Sequence, residues 1–556
     1  MNGDATTGGN AESVSPQEAR RYREQGWWLG RTISSLIRGH AAERPDQVAY
    51  FAESGALTWA GYDSAADGLA ARLAALCPLR GSRVAVYLPD GPLLHIAYLA
   101  CERAGLVIVG IPERAGDREL AHLLGRTGAG LLVCPPNRRG RTGAEITAAA
   151  RSAGAGVQCH VELDRDTFAA FRWDGGRPEP VVLGSVPGPA DLADRALRPD
   201  ELWLLNSTSG TTGLPKCVRQ VSERWAYFVR LAVDAAALTA DEVVMSLVPG
   251  PFGFGLWTAH FAPAMLGVPC ALRERFDAAA SLRAVAEHRV TVLACVTTQF
   301  VMMLDDPALD EADLSSLRVL YTGGERVPPE KAREWERRTG STVLQFYGSN
   351  EIGPFSCTTL ADGAEDRLTT VGRIVPGLDV RLYDAGGADI TGGGAPGQPG
   401  GRGPGSCDGY WNDPAADALL YSADGHLLMP DLVTIDERGY VRIVGRSSDL
   451  IIRGGKNIGA AAVEADVGAH PNVAMVAAIA VPDPVFGERV CAVVSLRDPG
   501  RPLTLPGLAE FLAGRGVSKE YFPEYLAVLD ELPVSIGGKI AKAQLRSRLD
   551  ELLPDR

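Results

Sequence analysis

Short apolar segments alternate with helix-period segments along most of this chain, and that alternation narrows the folds open to it more than any other feature. Arg83-Val-Ala-Val-Tyr-Leu88, Val107-Ile-Val-Gly-Ile111 and Leu131-Leu-Val-Cys134 read as short buried strands. Residues 36–42, 62–76 and 93–104 repeat their apolar positions at helical spacing, and the strand pattern returns at 243–247, 290–295 and 317–321. Repeated βα units of this kind build mostly parallel sheet, so the expected class is α/β, with layered sheets covered by helices.

One of these strands, Leu202-Trp-Leu-Leu205, runs into Ser207-Thr-Ser-Gly-Thr-Thr-Gly-Leu-Pro-Lys216. Gly210 and Gly213 let backbone N–H groups approach an anion closely, Thr208, Ser209, Thr211 and Thr212 add hydroxyl donors, and Lys216 adds a compact positive charge. Such a loop is suited to polyphosphate; on composition alone it could also be an ordinary surface loop. Two residues separate its glycines, and Cys217 follows the lysine, so the loop is not a Walker A motif. Lysine occurs only at 216, 331, 456, 519, 539 and 542, while arginine supplies the other basic residues. Where a chain writes nearly every positive charge as arginine, the few lysines mark places for a point charge.

The formal net charge of −13 argues against a general nucleic-acid or anionic-membrane surface, so any polyanion must meet a local positive pocket. The apolar stretch at 93–109 is interrupted by Glu102-Arg103, and residues 1–10 lack a signal-peptide core, so no membrane partner is expected and a cytoplasmic protein is. Ten cysteines without a Cys-x-x-Cys pair read as buried free thiols, and the eight dispersed histidines suggest no zinc site.

Further segments, in order, give the chain its likeness to a known family. Tyr321-Thr-Gly-Gly-Glu325, Tyr347-Gly-Ser-Asn-Glu351, Asp431, Gly445-Arg-Ser-Ser-Asp449 and Gly537-Gly-Lys-Ile540 follow the phosphate-type loop. Together they resemble the adenylate-forming superfamily of acyl-CoA synthetases, luciferases and nonribosomal adenylation domains, over about residues 20 to 550. Tyr22-Arg-Glu-Gln-Gly-Trp-Trp28 and Gly516-Val-Ser-Lys-Glu-Tyr-Phe-Pro-Glu524 are most similar to cyclohexanecarboxylate-type and medium-chain acyl-CoA ligases, with aryl-acid adenylating enzymes second.

Residues 1–20 are polar and small and read as a disordered tail, and the resemblance implies a large domain at 21–447 that includes a small β-barrel-like subdomain. A small mobile α+β domain at 448–556 would turn about Asp449. It also implies two half-reactions: an acid attacks the α-phosphorus of ATP, and a thiol then displaces AMP from the acyl-adenylate. ATP, Mg²⁺ and coenzyme A would be the cofactors, with a carrier protein or a separate adenylating enzyme as further possible partners.

By the same resemblance, the 207–216 loop holds phosphates, and Gly323, Gly324 and Glu325 flank adenine. Tyr347 and Gly348 border the nucleotide, Asp431 and Arg446 hold ribose or phosphate, and Glu351 binds Mg²⁺. Lys539 bridges carboxylate and α-phosphate, and Gly454, Gly455 and Lys456 line the path of coenzyme A. Lys539 could instead be an exposed lysine in a turn, and Asp431 and Arg446 surface charges.

For the acid, Pro249-Gly-Pro-Phe-Gly-Phe-Gly-Leu-Trp257 places Phe252, Phe254, Gly255 and Trp257 as a hydrophobic pocket, or as an aromatic core stripe. Four departures bear on the first half-reaction. Cys217 follows the lysine, Asn350 stands for a phosphate-contacting Thr, Met429-Pro430 precedes Asp431, and the glycine-rich stretch 386–409 suggests that a strand near residue 400 is shortened, with most of it lost. A chain limited to thioesterification of a preformed acyl-adenylate is therefore an alternative, as is a stand-alone enzyme loading a carrier protein.

Overall fold

A computed structural model describes residues 14–207, 215–324, 327–446, 450–453, 456–483, 487–515, 517, 519–534 and 540–553. Two large sheets organise the first three quarters of the chain. In the eight-stranded one, Cys159–Leu163, Leu131–Cys134, Arg83–Val86, Val107–Gly110 and Leu202–Ser207 run parallel. Its central strands are continuous Val, Ala and Leu runs because helices cover both faces of a parallel sheet. The antiparallel meander Phe168–Asp174 and Arg177–Pro180 extends one edge, and Cys217–Val221 closes the other. The nine-stranded sheet has a parallel centre from Val48–Ala52 through Cys270–Leu272, Val244–Ser246, Val292–Ala294 and Val319–Gly323 to Thr342–Ser349.

The helices expected at 36–42, 62–76 and 93–104 are Ile33–Glu43, Trp59–Leu76 and Pro92–Arg103. Hydroxyl caps fix two of the starts: Thr32 accepts from the Ser35 N–H and Thr58 from the Gly61 N–H. Among the described residues no helix is long and apolar enough to cross a membrane.

Two expectations need correction. Residues 16–20 of the expected tail are helical, because the helix Pro16–Glu24 begins at a Ser15–Glu18 capping box and Glu18 meets Arg402 at 3.1 Å, while residues 1–13 lie outside the described residues. The strand near residue 400 is present as Gln398–Arg402, paired with Asp379–Tyr383 on one side and Leu427–Leu428 on the other. Its glycines are a packing requirement, since a Cβ on Gly400 would lie 2.7 Å from the Tyr383 ring and one on Gly401 3.1 Å from Ile352. Trp28 packs beside this strand and donates its indole N–H to the Pro404 carbonyl at 3.0 Å. With Asp431–Ile435 and Val441–Arg446, these strands enclose a separate small β core around Ile352, Phe355 and Leu382.

The C-terminal unit is α+β. Val473–Asp483 pairs along its length with Gly487–Leu496, which pairs in parallel with Tyr525–Val528, and helices Ala460–Gly468 and Leu505–Gly514 pack Val463, Val467, Leu508 and Leu512 together. The expected hinge residue Asp449 lies outside the described residues.

Gly400→Val tests the packed glycine strand. Overfilling it should lower unfolding free energy by about 2–3 kcal/mol in urea titrations, whereas a flexible loop would tolerate the change.

Candidate active site

Three strands end close together. Leu202–Ser207 of one sheet and the adjacent Val319–Gly323 and Thr342–Ser349 of the other converge, and Asn206 Nδ2 donates to Asn350 Oδ1 at 3.3 Å across the gap. A crevice outside the carboxyl ends of parallel strands is where α/β proteins bind ligands. The backbone passes tightly here: a Cβ on Gly323 would sit 2.3 Å from the Phe346 carbonyl oxygen, and one on Gly348 2.0 Å from that of Gly353. Gly324 adopts φ +79° and turns the chain out of its strand.

Two polar pairs line the crevice. The Tyr347 hydroxyl donates to Asp431 Oδ2 at 2.9 Å, fixing a buried carboxylate, and Arg446 lies opposite Asp431 in the antiparallel register. The Lys216 ammonium sits 4.7 Å from the Tyr410 ring centroid, and the Tyr410 hydroxyl donates to Glu351 Oε1 at 2.7 Å. Burial, and then the Glu351 charge, push the Tyr410 phenol far above its ordinary pKa, so it remains a donor. One residue thus ties the lysine expected on phosphate to the carboxylate expected on Mg²⁺.

Behind this pair lies Arg224, fully buried at the start of the helix Glu223–Ala236. Its guanidinium donates to the backbone carbonyls of Asn350 at 3.0 Å and Glu351 at 3.3 Å, and to Gly405 O and Gln220 Oε1. Burial pulls its pKa down to about 10, so it stays charged at neutral pH. Asn350 packs over Gly253, where a Cβ would lie 2.4 Å from Asn350 Oδ1.

Of the four expected acid-pocket residues, Phe252 and Phe254 are partly exposed. Trp257 is core: it stacks on Phe254 at 5.6 Å and meets Tyr321 and Phe346 edge-on or tilted. Gly255 is demanded by backbone, since a Cβ would lie 2.2 Å from the Pro249 carbonyl oxygen. Of the four, only the two phenylalanines keep partly exposed side chains. At the start of this segment the Gly250 N–H donates to Asp90 Oδ1 at 2.7 Å.

Thr208, Ser209, Gly210, Thr211, Thr212, Gly213, Glu325, Gly454, Gly455 and Lys539 lie outside the described residues, as do the side chains of Arg446 and Lys456. Arg224, Gln220, Asn206, Tyr410 and Asp90 were not among the sequence candidates. An arginine inside an amphipathic helix and a tyrosine beside a glycine carry no local signature; only the fold brings them to the crevice.

Asp90 gives a pH signature. Burial, and secondarily Glu113, push its carboxyl from the ordinary 3.8 up to about 7. The fold thus disfavours the charged form, a cost absent near pH 4, growing through pH 4–7 and complete above it. Asp90→Asn keeps an acceptor for Gly250, so at pH 8 it should raise unfolding free energy by about 1–3 kcal/mol and at pH 4 leave it unchanged. Urea titrations at the two pH values check this; equal effects would refute it.

The chain matches the family model described as AMP-binding enzyme over residues 37–411, and that described as AMP-binding enzyme C-terminal domain over 462–539. It is 30% identical over 543 residues to a medium-chain fatty-acid–CoA ligase of Escherichia coli (strain K12), covering 96% of this chain and 93% of that one. It is 31% identical over 567 residues to a salicylyl-CoA synthase / salicylate adenylyltransferase of Streptomyces sp, covering 96% of each. ATP-bound MatB from Rhodopseudomonas palustris superposes with a TM-score of 0.77 at 27% identity, covering 93% of this chain and 99% of that one. The chain belongs to the AMP-binding enzyme family and is an AMP-forming ligase.

Proposed function

We propose that this ligase activates a bulky hydrophobic carboxylic acid with ATP and transfers the acyl group to coenzyme A. The observation that carries the reading is the linked set Lys216, Tyr410 and Glu351, facing the same crevice as the Tyr347–Asp431 pair. Asp431 accepts ribose hydroxyls, because an ionised carboxylate is acceptor-only and can take two donors. Lys216 and the 207–216 loop hold the β- and γ-phosphates. The mutual repulsion of carboxylate and ATP is the barrier such fixed donors remove.

Glu351 is suited to Mg²⁺. Tyr410 occupies Oε1, and among the described residues Oε2 makes no hydrogen bond, which leaves one hard oxygen for a cation carried mainly by substrate phosphates. When bound, Mg²⁺ would neutralise charge on the departing pyrophosphate. Asn350 would donate to an α-phosphoryl oxygen, and Lys539, from the C-terminal unit, would bridge acid and α-phosphate. For the second step, that unit would turn at Asp449 and bring Gly454, Gly455 and Lys456 against the pantetheine arm.

A hydrophobic acid is favoured by Phe252 and Phe254 at the crevice and by the medium-chain and aromatic acids that the relatives' names carry. Each buried CH₂ adds about 0.8 kcal/mol to such a substrate. Carrier-protein loading is the second reading, because the chain is also 29% identical over 544 residues to a salicyl-AMP ligase / salicyl-S-ArCP synthetase of Mycobacterium tuberculosis (strain ATCC 25618 / H37Rv).

Pyrophosphate release from ATP, Mg²⁺ and a panel of fatty and aryl acids tests the proposal, with coenzyme A and a phosphopantetheinylated carrier then competing for the acyl group. Release with apolar acids and transfer to coenzyme A is expected. Transfer to the carrier alone favours the second reading, and turnover of synthetic acyl-adenylate without pyrophosphate release leaves only thioesterification. Lys539→Ala should slow pyrophosphate release by about a hundredfold while sparing thioester formation from synthetic acyl-adenylate.

Tyr410→Phe keeps the ring under Lys216 but loses the hydrogen bond to Glu351. It should lower kcat about tenfold and raise the Mg²⁺ requirement, whereas Tyr410→Leu loses both contacts and should cost about a hundredfold.

A further inference from the structure

We infer that Arg224, Gln220 and Asn206 form a one-way amide relay that forces Asn350 to present its N–H₂ group, and not its carbonyl oxygen, to the α-phosphate. The inference rests on the function proposed above and assigns three positioning residues to it.

The direction follows from what each atom can do. A guanidinium only donates, so the Gln220 atom bonded to Arg224 must be Oε1. Independently, the Asn350 backbone carbonyl only accepts, and it lies 3.2 Å from the other end of Gln220, which must be Nε2. Gln220 Nε2 also donates to Asn206 Oδ1 at 2.9 Å, so Asn206 turns Nδ2 toward Asn350 and donates to Oδ1 at 3.3 Å. Asn206 and Gln220 are both fully buried, so water cannot supply a missing donor or acceptor and neither amide can turn without losing its bonds. Asn350 Oδ1 is thereby committed inward, over Gly253, and Nδ2 is the branch left for the crevice. Among the described residues Nδ2 makes no hydrogen bond.

An amide at 350 needs this device. A hydroxyl can rotate to donate to a phosphate, but an amide turned through 180° would point a carbonyl oxygen at an anion. The relay removes that second orientation.

The test reverses the relay. In Gln220→Glu the new carboxylate stays ionised beside Arg224 and has no donor, so Asn206 and then Asn350 must turn over. Isothermal titration with AMP and with adenosine separates phosphate recognition from general damage. Gln220→Glu should weaken AMP at least about thirtyfold, since a charge-assisted bond is lost and replaced by repulsion, and leave adenosine within threefold. On an Asn350→Thr background the same change should cost AMP less than about threefold, because a hydroxyl has no fixed direction. If the carboxylate prevents folding, Gln220→Met supplies the reading, with a several-fold loss for AMP and none for adenosine. Equal losses for AMP and adenosine, no loss for AMP, or a penalty that persists with threonine at 350 would each overturn the relay. An unmodified protein that does not bind AMP overturns the proposed function, and the relay with it.

Discussion

A single buried guanidinium holds the crevice in shape. Arg224 gathers the carbonyl oxygens of Asn350, Glu351 and Gly405 with the Gln220 amide, and so pins segments more than a hundred residues apart around one cation. None of these partners is a carboxylate. Taking a charge out of water costs several kcal/mol, which four neutral carbonyl groups offset only if each stays in place; the structure thus resists any shift of the 347–351 loop. The Arg224 Nε finds no partner in the described structure, so the cation is incompletely satisfied. An arrangement optimised for stability alone would not place a charge there. A positive field behind a site for anionic groups supplies a reason.

The two sheets are needed because that cation is shared between them. Asn206 and Gln220 belong to the Leu202–Ser207 and Cys217–Val221 pair at the edge of the eight-stranded sheet, while Asn350 and Glu351 follow the last parallel strand of the nine-stranded one. The C-terminal unit is held differently. Arg515 meets Glu330 at 3.7 Å and Arg497 pairs with Asp305, contacts between partly exposed ions. Such pairs contribute about 0–1 kcal/mol each, little beside a buried hydrogen-bonded network.

Much of this fold could be read from sequence because parallel strands buried on both faces are written as continuous apolar runs. Arg83–Val86, Val107–Gly110 and Leu131–Cys134 show this. The meander Phe168–Asp174 and Arg177–Pro180 escaped notice, since an edge carrying Arg172, Glu179 and two prolines lacks that signature. Gln398–Arg402 was misread for the opposite reason: its neighbours Tyr383, Ile352 and Leu378 fill the space where side chains would stand, leaving glycines that imitate a loop. At the site, the motifs point to Asp431, Tyr347, Glu351 and Lys216, and the fold brings these four to one crevice. Arg224 and Tyr410 act across the fold, and no spacing along the chain encodes that.

Asn350 shows how a departure from a motif is accommodated by its surroundings. A planar amide is larger than a threonine side chain, and room for it exists because Gly253 has no Cβ. It also has two unlike ends, which a hydroxyl does not, so space alone would leave its orientation open. The donor at Asn206 closes that question, the acceptor side of Asn206 is closed by Gln220, and Gln220 is closed by a group that cannot accept. Glycine at 253 and the amides at 206 and 220 thus belong to one steric and electrostatic solution. With a hydroxyl at residue 350 the orienting bond from Asn206 and the space over Gly253 would no longer be required, while Gln220 would still tie Arg224 to the backbone of residue 350.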